Sequence, residues 1–123
     1  MTYRLCFFLA SCLAGLSVLF GAFMAHALKD KISDYYLGIF DTATRYQMYH
    51  AFALFIMAFL LQNQSNFMLQ LTSFLFFIGT LIFCGSLYLL VFTKIKALGA
   101  ITPIGGMCLI LAWFLLAYSA LKV

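Results

Sequence analysis

The sequence predicts an all-α integral membrane protein: a four-helix bundle with a short interfacial helix between its first and second spans. Three observations predict it. Of the 123 residues, 67% are hydrophobic and only 8% are charged, where a soluble domain carries roughly 25% charged residues. Leu5–Leu28, Tyr46–Thr93 and Ala97–Leu121 contain no Asp, Glu, Lys or Arg. The middle stretch is about twice the length that a bilayer crossing needs, and Gln62-Asn63-Gln64-Ser65-Asn66 interrupts it. Fifteen Phe, seven Tyr and a mean hydropathy of +1.12 agree. So few charges cannot coat a water-soluble globule, which disfavours a soluble enzyme, a nucleic-acid reader and a disordered segment together. The chain reads as one domain, residues 1–123, with spans of about 5–27, 41–62, 67–93 and 103–122.

The first span runs from about Leu5 to Ala27. Arg4, the apolar stretch and Ala25-His26-Ala27 mimic a secretory signal, but the stretch is longer than such a signal's apolar region. Lys29–Asp41 holds all three acids, Asp30, Asp34 and Asp41. Ser33 is a candidate cap, and Ile32, Tyr36 and Ile39-Phe40 fall at helical spacing. The stretch is therefore expected along the interface, running into the second span, with Gly38 weakening it. Five consecutive polar residues are costly in hydrocarbon and natural in a turn, so the second and third spans form a hairpin. Lys94–Ile101 is a short connection. Thr102-Pro103 reads as an N-cap followed by Pro at the first helical position; a helix from Ala97 with a Pro kink is the alternative.

The net charge is +4, and the basic residues stand singly at the ends of apolar runs. That pattern points to topology and headgroup contact rather than nucleic acid. Arg4 and Lys122 mark one side; Lys29, Lys31, Lys94 and Lys96 mark the other, with Arg45 near the boundary. The excess places loops one and three in the cytoplasm and both termini outside. Cys6, Cys12, Cys84 and Cys108 sit in apolar runs without CxxC spacing and read as packing residues. Small residues are expected at helix contacts: Ser11-x-x-x-Gly15, Ser17-x-x-x-Gly21-x-x-x-Ala25, Gly79, Gly85-Ser86, Gly105-Gly106 and Ala112. Trp113 and Tyr118 read as packing or interfacial anchors.

Polar side chains at membrane depth are costly and tend to be functional. Placed by depth, His26, Arg45, Tyr46, Gln47, Tyr49, His50, Ser86, Tyr88 and Thr102 share one leaflet and form the candidate polar cluster. Residues 45–50, Met48 apart, cover more than half the helix circumference, so this segment faces a bundle interior, another subunit or a vestibule. Asp41 lies four residues before Arg45, a spacing that permits an ion pair. Three readings compete: structural bracing, a small-solute, anion or proton pathway using Arg45 and His50, and a metal or haem site built on Met24-Ala25-His26 and Met48-Tyr49-His50. Bracing leads. No carboxylate is embedded in the membrane, Asp41 standing at the very start of the second span, which counts against a small proton-coupled exporter. No Ser/His/Asp, Cys/His or paired-carboxylate constellation is present, so no enzyme activity, catalytic residue, metal or cofactor is expected. Membrane lipids are the expected partners, with a homo-oligomer or another membrane protein as alternatives and no nucleic acid.

The chain resembles the YgdD/YwdK-like family of small bacterial inner-membrane proteins, a family of unknown function. The resemblance rests on Gly21-Ala22-Phe23-Met24-Ala25-His26-Ala27-Leu28, on Thr42-Ala43-Thr44-Arg45-Tyr46-Gln47-Met48-Tyr49-His50-Ala51, on Gly85-Ser86-Leu87-Tyr88, and on Ile101-Thr102-Pro103-Ile104-Gly105-Gly106. It implies four spans, an inner-membrane location and no assigned activity. Met24 stands where the family usually has Gly, and Cys84 where it often has Ser. Met24 crowds any close helix contact there.

Overall fold

The structure is a computed structural model that describes residues 1–122. It contains four α-helices, α1 (Tyr3–Phe23), α2 (Asp34–Asn63), α3 (Phe67–Thr93) and α4 (Thr102–Ala120). A π-helical turn, Met24–Leu28, prolongs α1, and a 3₁₀ turn, Lys96–Ala100, precedes α4. Local chemistry sets most of the ends. The Thr2 side chain accepts the Leu5 N–H at 3.3 Å, Ser33 accepts that of Tyr36 at 3.5 Å, and Asn66 accepts that of Leu69 at 2.9 Å. Each satisfies a donor that a helix start leaves open. The polar break is the turn between α2 and α3, and it is tight: Gln62 and Asn63 complete α2, leaving only 64–66 between the helices. Lys94 ends α3 in the left-handed conformation, φ 57°.

Two expected boundaries move. The interfacial stretch is not a separate helix: Asp34–Phe40 form the first turns of a continuous 30-residue α2, about 45 Å long at 1.5 Å per residue. Gly38 does not break it, because the helix continues on both sides and a single interior glycine costs only about 1 kcal/mol. Thr102 is the first helical residue of α4 rather than its cap, with Pro103 beside it in the first turn. Its hydroxyl turns sideways to Ser86 instead of along the helix.

Chain neighbours are space neighbours. α1 packs on α2, α2 on α3 and α3 on α4, while α1 and α4 form no packed pair among the described residues. The central α2–α3 pair is thus flanked by the two outer helices. The main core joins all four through Cys6, Ala10, Leu54, Met57, Phe76 and Leu109. A smaller cluster of Leu28, Phe40 and Val91 lies under the π turn, with Met24 packed against it.

Glycine permits one close crossing. A Cβ at Gly105 would lie 2.4 Å from the Phe83 backbone nitrogen, and one at Gly79 would lie 2.9 Å from the Leu109 side chain. Of the glycines expected at the α3–α4 contact, Gly79 and Gly105 are the ones it needs, whereas Gly85 has nothing within 4 Å of an added Cβ. The first span follows expectation at Ser17, which is buried against α2, and departs from it at Gly15 and Gly21, which have nothing within 4 Å of an added Cβ. α1 buries the stripe Cys6, Ala10, Leu13 and Ser17, which ends one turn before Gly21.

The outer surface is apolar. Phe8, Phe59 and Phe114 are 63%, 67% and 71% exposed, far more than water-soluble proteins gather over one surface. Three segments, Tyr3–Leu28, Phe67–Thr93 and Lys96–Ala120, are long and apolar enough to cross a membrane. α2 is not among them, because its first half holds Asp41, Arg45, Gln47 and His50.

Candidate functional site: a polar seam along the central helix

α2 carries polar side chains on its buried face, and each finds a partner on a neighbouring helix or on its own backbone. Gln47 is the deepest junction. Its Nε2 donates to the Leu13 carbonyl of α1 at 2.8 Å, and its Oε1 accepts from the Tyr88 hydroxyl of α3 at 2.7 Å. One amide thus ties three helices. Phe20 and Phe40 pack edge-on against the Tyr88 ring, each with centroids 5.1 Å away, and hold its hydroxyl toward Gln47. One turn earlier, Ser17 donates to the Thr44 carbonyl at 2.6 Å, adding a second α1–α2 link.

His50 forms the next junction. Its Nδ1 lies 2.7 Å from the Tyr46 carbonyl, and its Nε2 lies 3.2 Å from the Trp113 indole nitrogen. A carbonyl only accepts and an indole N–H only donates, so both bonds hold in the neutral tautomer with the proton on Nδ1. A second proton on Nε2 would face the Trp113 N–H donor to donor. This junction joins α2 to α4, two helices whose backbones otherwise stay apart. A third links α3 and α4: the Ser86 and Thr102 hydroxyls are 2.6 Å apart, with the Phe83 and Leu98 carbonyls at 3.0 and 3.4 Å as further acceptors. Among the described residues, no buried side-chain nitrogen or oxygen lacks a hydrogen-bond partner.

The nine residues singled out from the sequence therefore separate. Gln47 with Tyr88, His50 with the Tyr46 backbone, and Ser86 with Thr102 form three junctions in one seam. Two lie outside it. Arg45 turns outward and pairs through Nε with Asp41 Oδ2 at 2.8 Å, the side chains being 65% and 38% exposed. His26 sits on the exposed side of the π turn. The phase of each helix turns both away from the seam. The Tyr46 and Tyr49 rings line the outer rim, 5.7 Å apart. Sequence reasoning passed over Thr44, and it read Ser17 only as a small contact residue, without its hydrogen bond to α2. Trp113 read as an anchor, yet it donates to His50 and packs edge-on against Phe76 at 4.9 Å. Among the described residues no three His, Cys, Asp or Glu converge to hold a metal ion. The four cysteines are free; Cys6 and Cys84 are buried as packing residues, whereas Cys12 is exposed.

The family profile described as "Protein of unknown function (DUF423)" matches residues 20–106. The chain belongs to the DUF423 family. That match takes in Thr44, Gln47, His50, Ser86, Tyr88 and Thr102, all seam residues, and leaves Leu13, Ser17 and Trp113 beyond its ends. Among DUF423 relatives, a UPF0382 membrane protein of Staphylococcus aureus (strain bovine RF122) is 46% identical over 83% of each chain. The UPF0382 membrane protein YwdK of Bacillus subtilis is 45% identical over 87% of this chain and 88% of its own. One from Staphylococcus epidermidis (strain ATCC 12228) is 44% identical over 83% of each chain. No solved structure matches. The protein is thus a membrane protein of a family with no assigned activity.

Proposed function

We propose that the chain is a four-span protein of the bacterial inner membrane that performs no covalent chemistry, acts as a structural or accessory component, and uses its polar seam as a brace. The observation that carries this reading is that, among the described residues, every buried polar side chain is paired. A transport path needs groups left free for a passing solute or proton, whereas a brace spends them on helix contacts. α2 crosses with the others despite its polarity, because Thr44, Gln47 and His50 face protein rather than lipid, and that satisfies the demand that hydrocarbon makes of polar groups. Lys29, Lys31, Lys94 and Lys96 orient the protein with its first and third loops in the cytoplasm.

The test pairs stability with flux. Purified protein and its His50→Ala variant are reconstituted in liposomes, and proton and anion flux is followed beside thermal unfolding in detergent. The expected result is a lower unfolding temperature for the variant and no flux above protein-free liposomes for either. A flux carried by the wild type and lost in the variant would replace the brace with a transport pathway through His50 and Arg45.

A further inference from the structure

Between α2 and α4 the surface opens into a groove of about 470 Å³, walled by Tyr46, Tyr49 and His50 of α2, Phe83 of α3, and Gly106 and Trp113 of α4. It faces outward, where hydrocarbon is expected. Packing does not require glycine at position 106. A Cβ there would meet the Phe83 ring at 3.7 Å, an ordinary contact, whereas Gly79 and Gly105 admit none without displacement. The effect of Gly106 is to leave the groove floor open. Arg45 stands one helical turn above Tyr49 on the same stripe of α2. Asp41 fixes the guanidinium through Nε at 2.8 Å, and among the described residues no second carboxylate reaches it. The Tyr49 hydroxyl is its other polar neighbour, so among the described residues no second acid neutralises the edge that would meet another anion. The surrounding end of the molecule is basic: Lys29, Lys31, Arg45, Lys94 and Lys96 stand against Asp30, Asp34 and Asp41.

We propose that this groove seats one acyl chain of an anionic phospholipid, with Arg45 receiving its phosphate. The proposal rests on the reading that α2 crosses the bilayer beside the other helices. The direction fits: from the Arg45 level the groove descends along α4 from Gly106 to Trp113, about 10 Å at 1.5 Å per residue, as an acyl chain descends from its headgroup. The charge fits as well, since the cytoplasmic leaflet is the anionic one and basic residues at its surface attract such lipids. A guanidinium over an aromatic groove supplies both halves of an amphiphile site.

Trp113 is the single tryptophan of the chain and lines the groove, so its fluorescence reports the occupant directly. The full chain is placed in phosphatidylcholine bilayers, into which phosphatidylglycerol or phosphatidylcholine with dibrominated acyl chains is titrated. The expected result is half-maximal quenching at about fivefold lower mole fraction of the brominated anionic lipid. Arg45→Gln should bring the two lipids to parity, and Gly106→Leu should weaken quenching by both. Equal quenching in the wild type would overturn the lipid site while leaving the membrane reading intact. Quenching by neither lipid, with the protein outside the bilayer, would overturn the membrane reading itself. Relief of quenching by free glycerol phosphate would assign Arg45 to a soluble anion, and a cross-linked dimer with Trp113 shielded from both lipids would assign the groove to a second copy; either overturns the proposal.

Discussion

Gln47 donates to one helix and accepts from another, so removing it strands the Tyr88 hydroxyl as well as the Leu13 contact. A stranded buried donor costs about 1–3 kcal/mol, while hydrogen bonds between membrane helices average about 0.6 kcal/mol. Gln47→Leu is therefore expected to destabilise by about 1–3 kcal/mol, and Tyr88→Phe, which leaves no orphan hydroxyl, by about 0.5–1.5 kcal/mol. Titration of unfolding with a denaturing detergent measures both. The double variant should be no less stable than Gln47→Leu alone, since the second change removes the stranded group. A strictly additive loss would show that the two side chains do not share a bond. The polar residues of this seam were legible in the sequence because Gln, His, Ser and Tyr at membrane depth need partners. Their pairings were not, because those depend on the phase of each helix against its neighbour. Arg45 and His26 illustrate the gap: both were grouped with the seam by position along the chain, and both lie on an exposed face. Trp113 was hidden for another reason, since one indole near a polar region serves equally as an interfacial anchor or as a donor.

The α3–α4 crossing depends on a position where the helices come nearer than a side chain allows. Gly105→Ala would force a methyl to within 2.4 Å of the Phe83 nitrogen, and backbone cannot yield as a flexible side chain can. The outward shift of α4 should cost about 1–3 kcal/mol or more and lengthen the His50–Trp113 bond. Gly106→Ala meets only ordinary contact and should be neutral or stabilising by up to about 1 kcal/mol. Comparing the two neighbours by thermal unfolding, with Trp113 emission as the local reporter, checks this; equal losses would mean that the crossing is not glycine-dependent. Helix ends were readable where a side chain caps them, as at Ser33 and in the polar break before Phe67. The continuity of α2 through Gly38 was hidden because its acids and glycine look like an interfacial break. The start of α4 shifted by one residue because the Thr102 hydroxyl pairs with Ser86 rather than accepting an N–H of its own first turn.

For the molecule as a whole, the cations at the α1–α2 and α3–α4 connections predict orientation. Alkaline phosphatase fused to the C-terminus should be active and a fluorescent protein fused there dark, with the reverse for fusions inserted after Lys31. The opposite pattern would invert the topology and move the Arg45 groove to the outer leaflet. Composition alone located the protein in hydrocarbon, because the imbalance between apolar surface and charge is large. The arrangement of the helices was less accessible: nothing in the periodicity of α1 or α4 indicates that they avoid each other across α2 and α3.

That avoidance has a kinetic meaning. Every large interface lies between helices consecutive along the chain, so no large interface must wait for a distant segment to find it. As synthesis proceeds, α1 and α2 can settle before α3 emerges, and α4 arrives at a surface already formed. The His50–Trp113 bond then closes last, a latch that fastens only when the final helix is seated.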